Sequence, residues 1–288
     1  VSCSCSGLHV NANKVDPTRT ATLRSQFEAD IVRRFKRVRS LIIEEVAAQD
    51  GFGLHTNAGR FSFTRSDAKV AGFMTWLRKM EREHILGVMP GVSMEYAAQT
   101  SWANVYIASA YQKGLNRAAN QLRASGATVS PTWIDAAFRR PIHADRVGLI
   151  YTRVFSDLQG ITEVMDRQIS RVLAQGLIDG LNPATMASQM ANRVDAIGLA
   201  RARTLARTEV ISAHAEATLN GFTEAGIEGV EVEAEFSNTG DGKVCAECSS
   251  LEGQTVPMSE ARGQIPVHPN CRCAWIPKVI GGTGIELR

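Results

Sequence analysis

Cys245-Ala246-Glu247-Cys248 and, after nineteen intervening residues, His268-Pro269-Asn270-Cys271-Arg272-Cys273 decide how the C-terminal part of this chain folds. In each segment two donors stand at i,i+3, the spacing of a tight knuckle whose side chains converge. The loop between them lets the knuckles face each other, as a tetrahedral Zn²⁺ requires. Five candidate donors fall within 29 residues, whereas residues 6–244 contain no cysteine. Two disulfides fit poorly, because Cys271 and Cys273 are separated by a single residue. A redox Cys-x-x-Cys would open a helix after a strand and leave the His/Cys knuckle unexplained. The reading is therefore a structural Zn²⁺ held by Cys245, Cys248, His268 and Cys271. Cys273 is an alternative ligand, since residues two apart point the same way in an extended stretch. Thiolate-rich four-ligand sites are closed, with no position left for catalytic water.

Working outward, Val230 to Phe236 alternates strictly between apolar or small and acidic residues, which predicts a strand with one acidic, solvated face. Thr239-Gly240-Asp241-Gly242 predicts a turn into the first knuckle, and 254–256 and 273–277 are further short strand candidates. The rest reads as helix. Asp16-Pro17 resembles an N-cap followed by proline at N1, and Leu23, Phe27, Ile31, Phe35, Val38, Ile42 and Val46 form an apolar stripe. Arg33, Arg34, Lys36 and Arg37 occupy the other face, a candidate contact for DNA or a partner protein. A hairpin is expected within Leu54–Thr64. Helices follow from Ser66-Asp67 to before Pro90, and from Tyr96 to Arg123. The Pro131–Pro141 region reads as a hinge loop, and His143 as a surface or satisfied core histidine. Further helices are expected at Asp145–Gly176, after Pro183, and at Leu199–Ala225 with Gly226 as the C′ residue.

The fold class expected is mainly α: a helical N-terminal half, then helices with a small zinc-stapled α+β unit. The domains expected are a flexible leader over 1–15, in which Cys3 and Cys5 have no role, a helical region over 16–144, and a second domain over 145–288 with its zinc knuckles in 240–277. No run approaches the eighteen or so apolar residues of a membrane span. The net charge of +3 hides an asymmetry, with 20 Lys/Arg against 12 Asp/Glu in residues 1–150 and 12 against 17 thereafter. Oppositely charged halves suggest distinct partners rather than a general nucleic-acid binder.

The motif string Ala206-Arg207-Thr208-Glu209, Gly226, the strand 230–236, Asp241, Cys245/Cys248, Leu251-Glu252-Gly253 and Pro266 to Cys273 resembles the Mu F-like minor head proteins of tailed bacteriophages. The resemblance covers about Asp145 to Pro277; Val267 stands where many relatives have a second proline. It implies a virion component near the portal vertex, assembled in the host cytoplasm and acting in head morphogenesis, with DNA packaging or ejection as further roles. The implied partners are the portal or major capsid protein, packaged DNA and sister copies, with no membrane. No catalytic constellation is recognisable, so the expectation is a non-enzyme; the alternatives are a zinc-stapled nuclease or other phage enzyme, and a DNA-binding protein. Arg207 and Glu209, two apart and so on different helix faces, are candidates to buttress the zinc unit, with Asp241 as a structural residue beside the knuckle. The Leu23–Val46 stripe is expected to be incompletely covered by its own half, leaving apolar surface for a partner.

Overall fold

The computed structural model describes residues 16–51, 67–130, 132–227, 230–281 and 286–287. The leader and the expected hairpin over Leu54–Thr64 lie outside the described residues. The chain is mainly helical, with a small antiparallel sheet near its C-terminus. Helix α1 (Ala21–Ile43) ends through a π-helical turn at Glu44–Ala48, and α2 (Asp67–Glu81) through another at Arg82–Leu86, which Gly87 closes in the left-handed conformation. Helices α3 (Met94–Gln99) and α4 (Asn104–Ala124) follow, then β1 (Thr128–Val129), α5 (Trp133–Arg139), α6 (Pro141–Ile178) and α7 (Pro183–Ile227). The remainder is β2 (Glu231–Ser237), α8 (Ala246–Ser250), β3 (Thr255–Val256), α9 (Met258–Ala261), β4 (Ala274–Gly281) and β5 (Glu286–Leu287).

Several boundaries differ from the sequence expectation for identifiable reasons. Asp16 does capture the first free helical N–H, accepting from Ala21 N at 2.8 Å, but Pro17 lies in a turn and α1 begins at Ala21. The helix expected over Tyr96–Arg123 is two helices. Asn104 Nδ2 donates to the carbonyls of Ala98 and Gln99, so a side chain caps α3 and the chain turns before α4. The expected hinge contains α5, and Pro141 opens α6 at the position where a missing N–H costs nothing. The two helices expected after Pro183 are one of 45 residues, and Gly226 lies inside its last turn.

Two compact units are interleaved along the chain, one of residues 1–25, 105–150 and 206–288, the other of 26–104 and 151–205. In the second unit, α1 runs antiparallel to α7. Arg203 Nε donates to Glu28 at 3.0 Å, Gly198 lies under the Phe35 ring, and Arg39 Nε donates to Asp195 at 2.8 Å. Phe27, Ile31, Phe35, Val38, Ile42 and Val46 are all buried there, and Phe27 meets Trp102 edge to face. The stripe expected to await a partner is thus core. Arg34 is used within the same unit, donating to His84 O and lying 4.0 Å over the Trp102 ring, whereas Arg33, Lys36 and Arg37 are exposed.

In the first unit, the sheet has the order β3-β2-β4, with Phe236 opposite Trp275 and Ala234 opposite Pro277 and Val256. Ala234, Phe236 and Trp275 share one apolar cluster with Ala118, Leu122, Trp133, Ile211, Leu219 and Phe222 of α4, α5 and α7. The sheet that carries the two knuckles therefore shares one apolar core with these helices. Close approach of α4 and α7 depends on glycine. A Cβ at Gly114 would sit 2.4 Å from His214 O, and one at Gly221 would sit 2.6 Å from Ala118 Cβ.

Gly198 makes the same kind of contact in the other unit, and it explains why a glycine continues α7 where a break would be expected. An added Cβ would lie 2.5 Å from the Phe35 ring. Gly198→Ala should lower unfolding stability by about 1–3 kcal/mol, despite alanine's better helix propensity. Urea denaturation measures this; a gain in stability would show that Phe35 yields freely.

Candidate metal centre

Cys245 ends the turn after β2 and is the N-cap of α8, where its Sγ accepts from Cys248 N at 3.3 Å. That hydrogen bond closes the first knuckle and places both sulfurs on one side. The second knuckle is closed by Cys271 N donating to His268 O at 3.1 Å, and Asn270 takes a positive φ of 67° to make the turn. Asparagine tolerates this conformation better than most residues.

The two knuckles meet as the spacing predicts. His268 Nε2 lies 3.2 Å from Cys245 Sγ and 3.3 Å from Cys248 Sγ, and Cys248 Sγ lies 4.0 Å from Cys271 Sγ. Around one tetrahedral Zn²⁺, bond lengths of about 2.3 Å to sulfur and 2.0–2.1 Å to nitrogen put S and N about 3.6 Å apart and two sulfurs about 3.8 Å apart. The observed separations are within a few tenths of an ångström of these values. Two overlapping groups can hold a metal ion, Cys245/Cys248/His268 and Cys248/Cys271/Cys273, with Cys248 common to both. Cys248, Cys271 and Cys273 are buried and Cys245 half-buried.

The hydrogen bonds around the donors fit ligation. His268 Nδ1 is 2.8 Å from Pro269 O, so the proton resides on Nδ1 and the Nε2 lone pair faces the sulfurs. Cys271 accepts a hydrogen bond from Cys273, which brings its thiol down to about 5, while donating that proton pushes Cys273 up. Burial raises Cys248 to about 12, the cost of placing a thiolate there without a cation.

Asp241 and Arg272 clasp the two loops from outside. Arg272 Nη1 and Nη2 donate to Asp241 Oδ2 and Oδ1 at 2.7 and 2.8 Å, a two-pronged ion pair between the residue four before Cys245 and the one between Cys271 and Cys273. Asp241 also accepts from Thr239 Oγ1 and Lys243 N. The Arg272 guanidinium holds the Asp241 carboxyl well below the usual carboxylate range. The pair is therefore intact at and above about pH 4 and is lost only as pH falls through that depressed value.

The Ala206–Glu209 segment reaches the site by an unexpected residue. Thr208 Oγ1 accepts from Asn270 N at 3.3 Å, fastening the second knuckle to α7. Glu209 is buried in the helix, and Arg207 lies within repulsive range of Arg24. Arg272 was legible in sequence as an opposite charge to Asp241 between two ligands; Thr208 carried no such signal. His143 is satisfied core: its Nδ1 meets Tyr111 Oη at 2.7 Å and its Nε2 meets Glu224 Oε1 at 2.5 Å.

Residues 167–276 match the family model described as Phage Mu protein F like protein, and this stretch of the chain is Mu F-like. The match takes in the C-terminal third of α6, all of α7, and both knuckles. No curated protein and no solved structure matches the chain.

Asp241→Asn keeps the size of the side chain and removes the charge that Arg272 grips. Its expected effect is faster alkylation of the buried Cys271 and Cys248, read by mass spectrometry. Rates equal to wild type would show that the clasp does not hold the loops together.

Proposed function

We propose, from the Mu F-like character of residues 167–276, that the protein is a structural minor head protein of a tailed bacteriophage. It acts in head morphogenesis as a component of the virion, at the portal vertex, with the portal or major capsid protein and sister copies as partners. The head-protein domain corresponds to residues 145–288, with 16–144 as a helical region preceding it. The observation that carries this reading is the coincidence of the family match with two knuckles whose donors converge.

The metal is a structural Zn²⁺, held by Cys245 Sγ, Cys248 Sγ, His268 Nε2 and Cys271 Sγ. Cys273 neighbours Cys271 and supports it by hydrogen bonding. When bound, the ion would neutralise the thiolates that burial disfavours and tie the turn after β2 to the start of β4. Four protein donors leave no coordination position for a substrate or an attacking water, which favours an assembly role over the nuclease alternative. No helix among the described residues is long and apolar enough to cross a membrane. Exposed Arg33, Lys36 and Arg37 remain candidates for contact with a partner or with packaged DNA.

Elemental analysis of reduced protein should find one zinc per chain. Cys273→Ser should retain it, and Cys271→Ser should lose it. A stoichiometry near zero in folded wild-type protein would remove the metal, and the reverse pattern in the two variants would exchange the ligands.

The assembly role is tested in particles. Cys248→Ser removes the donor common to both groups and lies in the apolar cluster shared with α4 and α7. Proteolysis of this variant should therefore reach α4 and α7 as well as the sheet, and heads made with it should lack the protein by mass spectrometry. Normal incorporation of a metal-free variant would separate the staple from assembly, and absence of the wild-type protein from purified heads would overturn the reading.

A further inference from the structure

Away from the metal centre, α4 bears Lys113, Asn116, Arg117, Asn120 and Gln121 at i, i+3, i+4, i+7 and i+8, one stripe of the helix surface. Together with Arg19, from the turn before α1, they line an open cleft of about 370 Å³ in which no described lining residue is acidic. Two side chains lining it bury polar atoms that have no hydrogen-bond partner. Gln121 is 1% exposed, and neither its Oε1 nor its Nε2 makes a hydrogen bond. Arg117 likewise buries Nε and Nη2 with no acceptor for either.

A buried guanidinium edge without an acceptor is costly, and most buried polar atoms in folded proteins are paired. Nε–H and Nη2–H lie side by side on that edge, the arrangement that takes two oxygens of one oxyanion at once. The neighbouring carboxylate does not meet the need. Asp16 accepts from Thr18, Ala21 N and Arg24. Burial and the charge of Arg19 together lower the Arg117 pKa, so the cleft gathers positive charge that no described lining residue offsets.

We propose that this cleft binds a phosphate group. The Nε–H/Nη2–H edge of Arg117 and the amide of Gln121 hold it at the floor, with Lys113 and Arg19 at the rim. Three cations favour a phosphate over a carboxylate, which brings one negative charge to a site that can offset more. The cleft is also wider than one phosphate, so the group can arrive free or as a phosphodiester of a nucleic-acid strand. In both cases the chemistry at Arg117 is the same. This site is separate from the metal centre and does not depend on the proposed assembly role.

Titration calorimetry on the full chain tests the proposal, using sodium phosphate at constant ionic strength against a sodium chloride control. Wild-type protein should bind phosphate. Arg117→Gln should weaken binding about tenfold or more, the scale of a lost charged hydrogen-bond pair. Gln121→Leu should also weaken it while leaving the melting temperature unchanged or raised, because it removes a buried group that has no partner. A short DNA oligonucleotide added in competition identifies the source. Displacement of phosphate that depends on Arg117 assigns a phosphodiester, and phosphate binding without displacement assigns a free phosphate or phosphomonoester. No wild-type binding beyond chloride, or equal binding by folded Arg117→Gln protein, would overturn the site.

Discussion

A sheet of strands of seven, two and eight residues buries too little to order itself, and the first compact unit depends on how its loops are tied. The tie is the convergence of the Cys245/Cys248 and His268/Cys271 knuckles at van der Waals distances. Burying sulfur donors together is unfavourable once they ionise, so the cluster calls for a cation or retained protons. The Asp241–Arg272 pair adds a geometric constraint that does not depend on the thiols, because it spans the same two loops from the outside. Thr208 then fastens the second knuckle to α7, the helix that also supplies the apolar surface under Phe236 and Trp275.

That helix can perform both tasks because its neighbours come close. Gly114 and Gly221 remove the side chains that would hold α4 and α7 apart. The space gained is filled by small residues, and Thr218 Oγ1 uses it to reach Gly114 O at 3.3 Å. Several buried polar groups in the same unit are paired with one another. Tyr111, His143, Asn220 and Glu224 form one chain of hydrogen bonds through the core. Such a network favours one arrangement of α4, α6 and α7, since any other leaves buried groups unpaired. Arg117 and Gln121 are among the side chains that leave buried polar atoms unpaired, and both line the cleft, which is why they point to a ligand.

The Cys/His cluster could hold a metal ion, and the Asp241–Arg272 pair beside it links its two loops. The Mu F-like match spans these same elements, from α6 through the second knuckle. The family match and the Cys/His cluster thus fall on one stretch of the chain.

The sequence by itself determined the convergence of the Cys/His donors, the alternating strand and the dominance of helix, because donor spacing and hydrophobic period are local properties. Cys245-x2-Cys248 needs only a turn to bring its sulfurs together, and Val230 to Phe236 needs only the pleat to separate its faces. What covers an apolar stripe is not local. Phe27 to Val46 read as a surface awaiting a partner, yet α7 of the same chain buries it, with Gly198 admitting Phe35. The same limit hid the single long α7, where a glycine that suggests a break instead serves contact with a residue 163 positions earlier. The roles of Thr208, Arg117 and Gln121 likewise came only from tertiary structure. A threonine or a glutamine on a helix has no signature of its own until folding decides which hydrogen bonds its neighbours leave unmade.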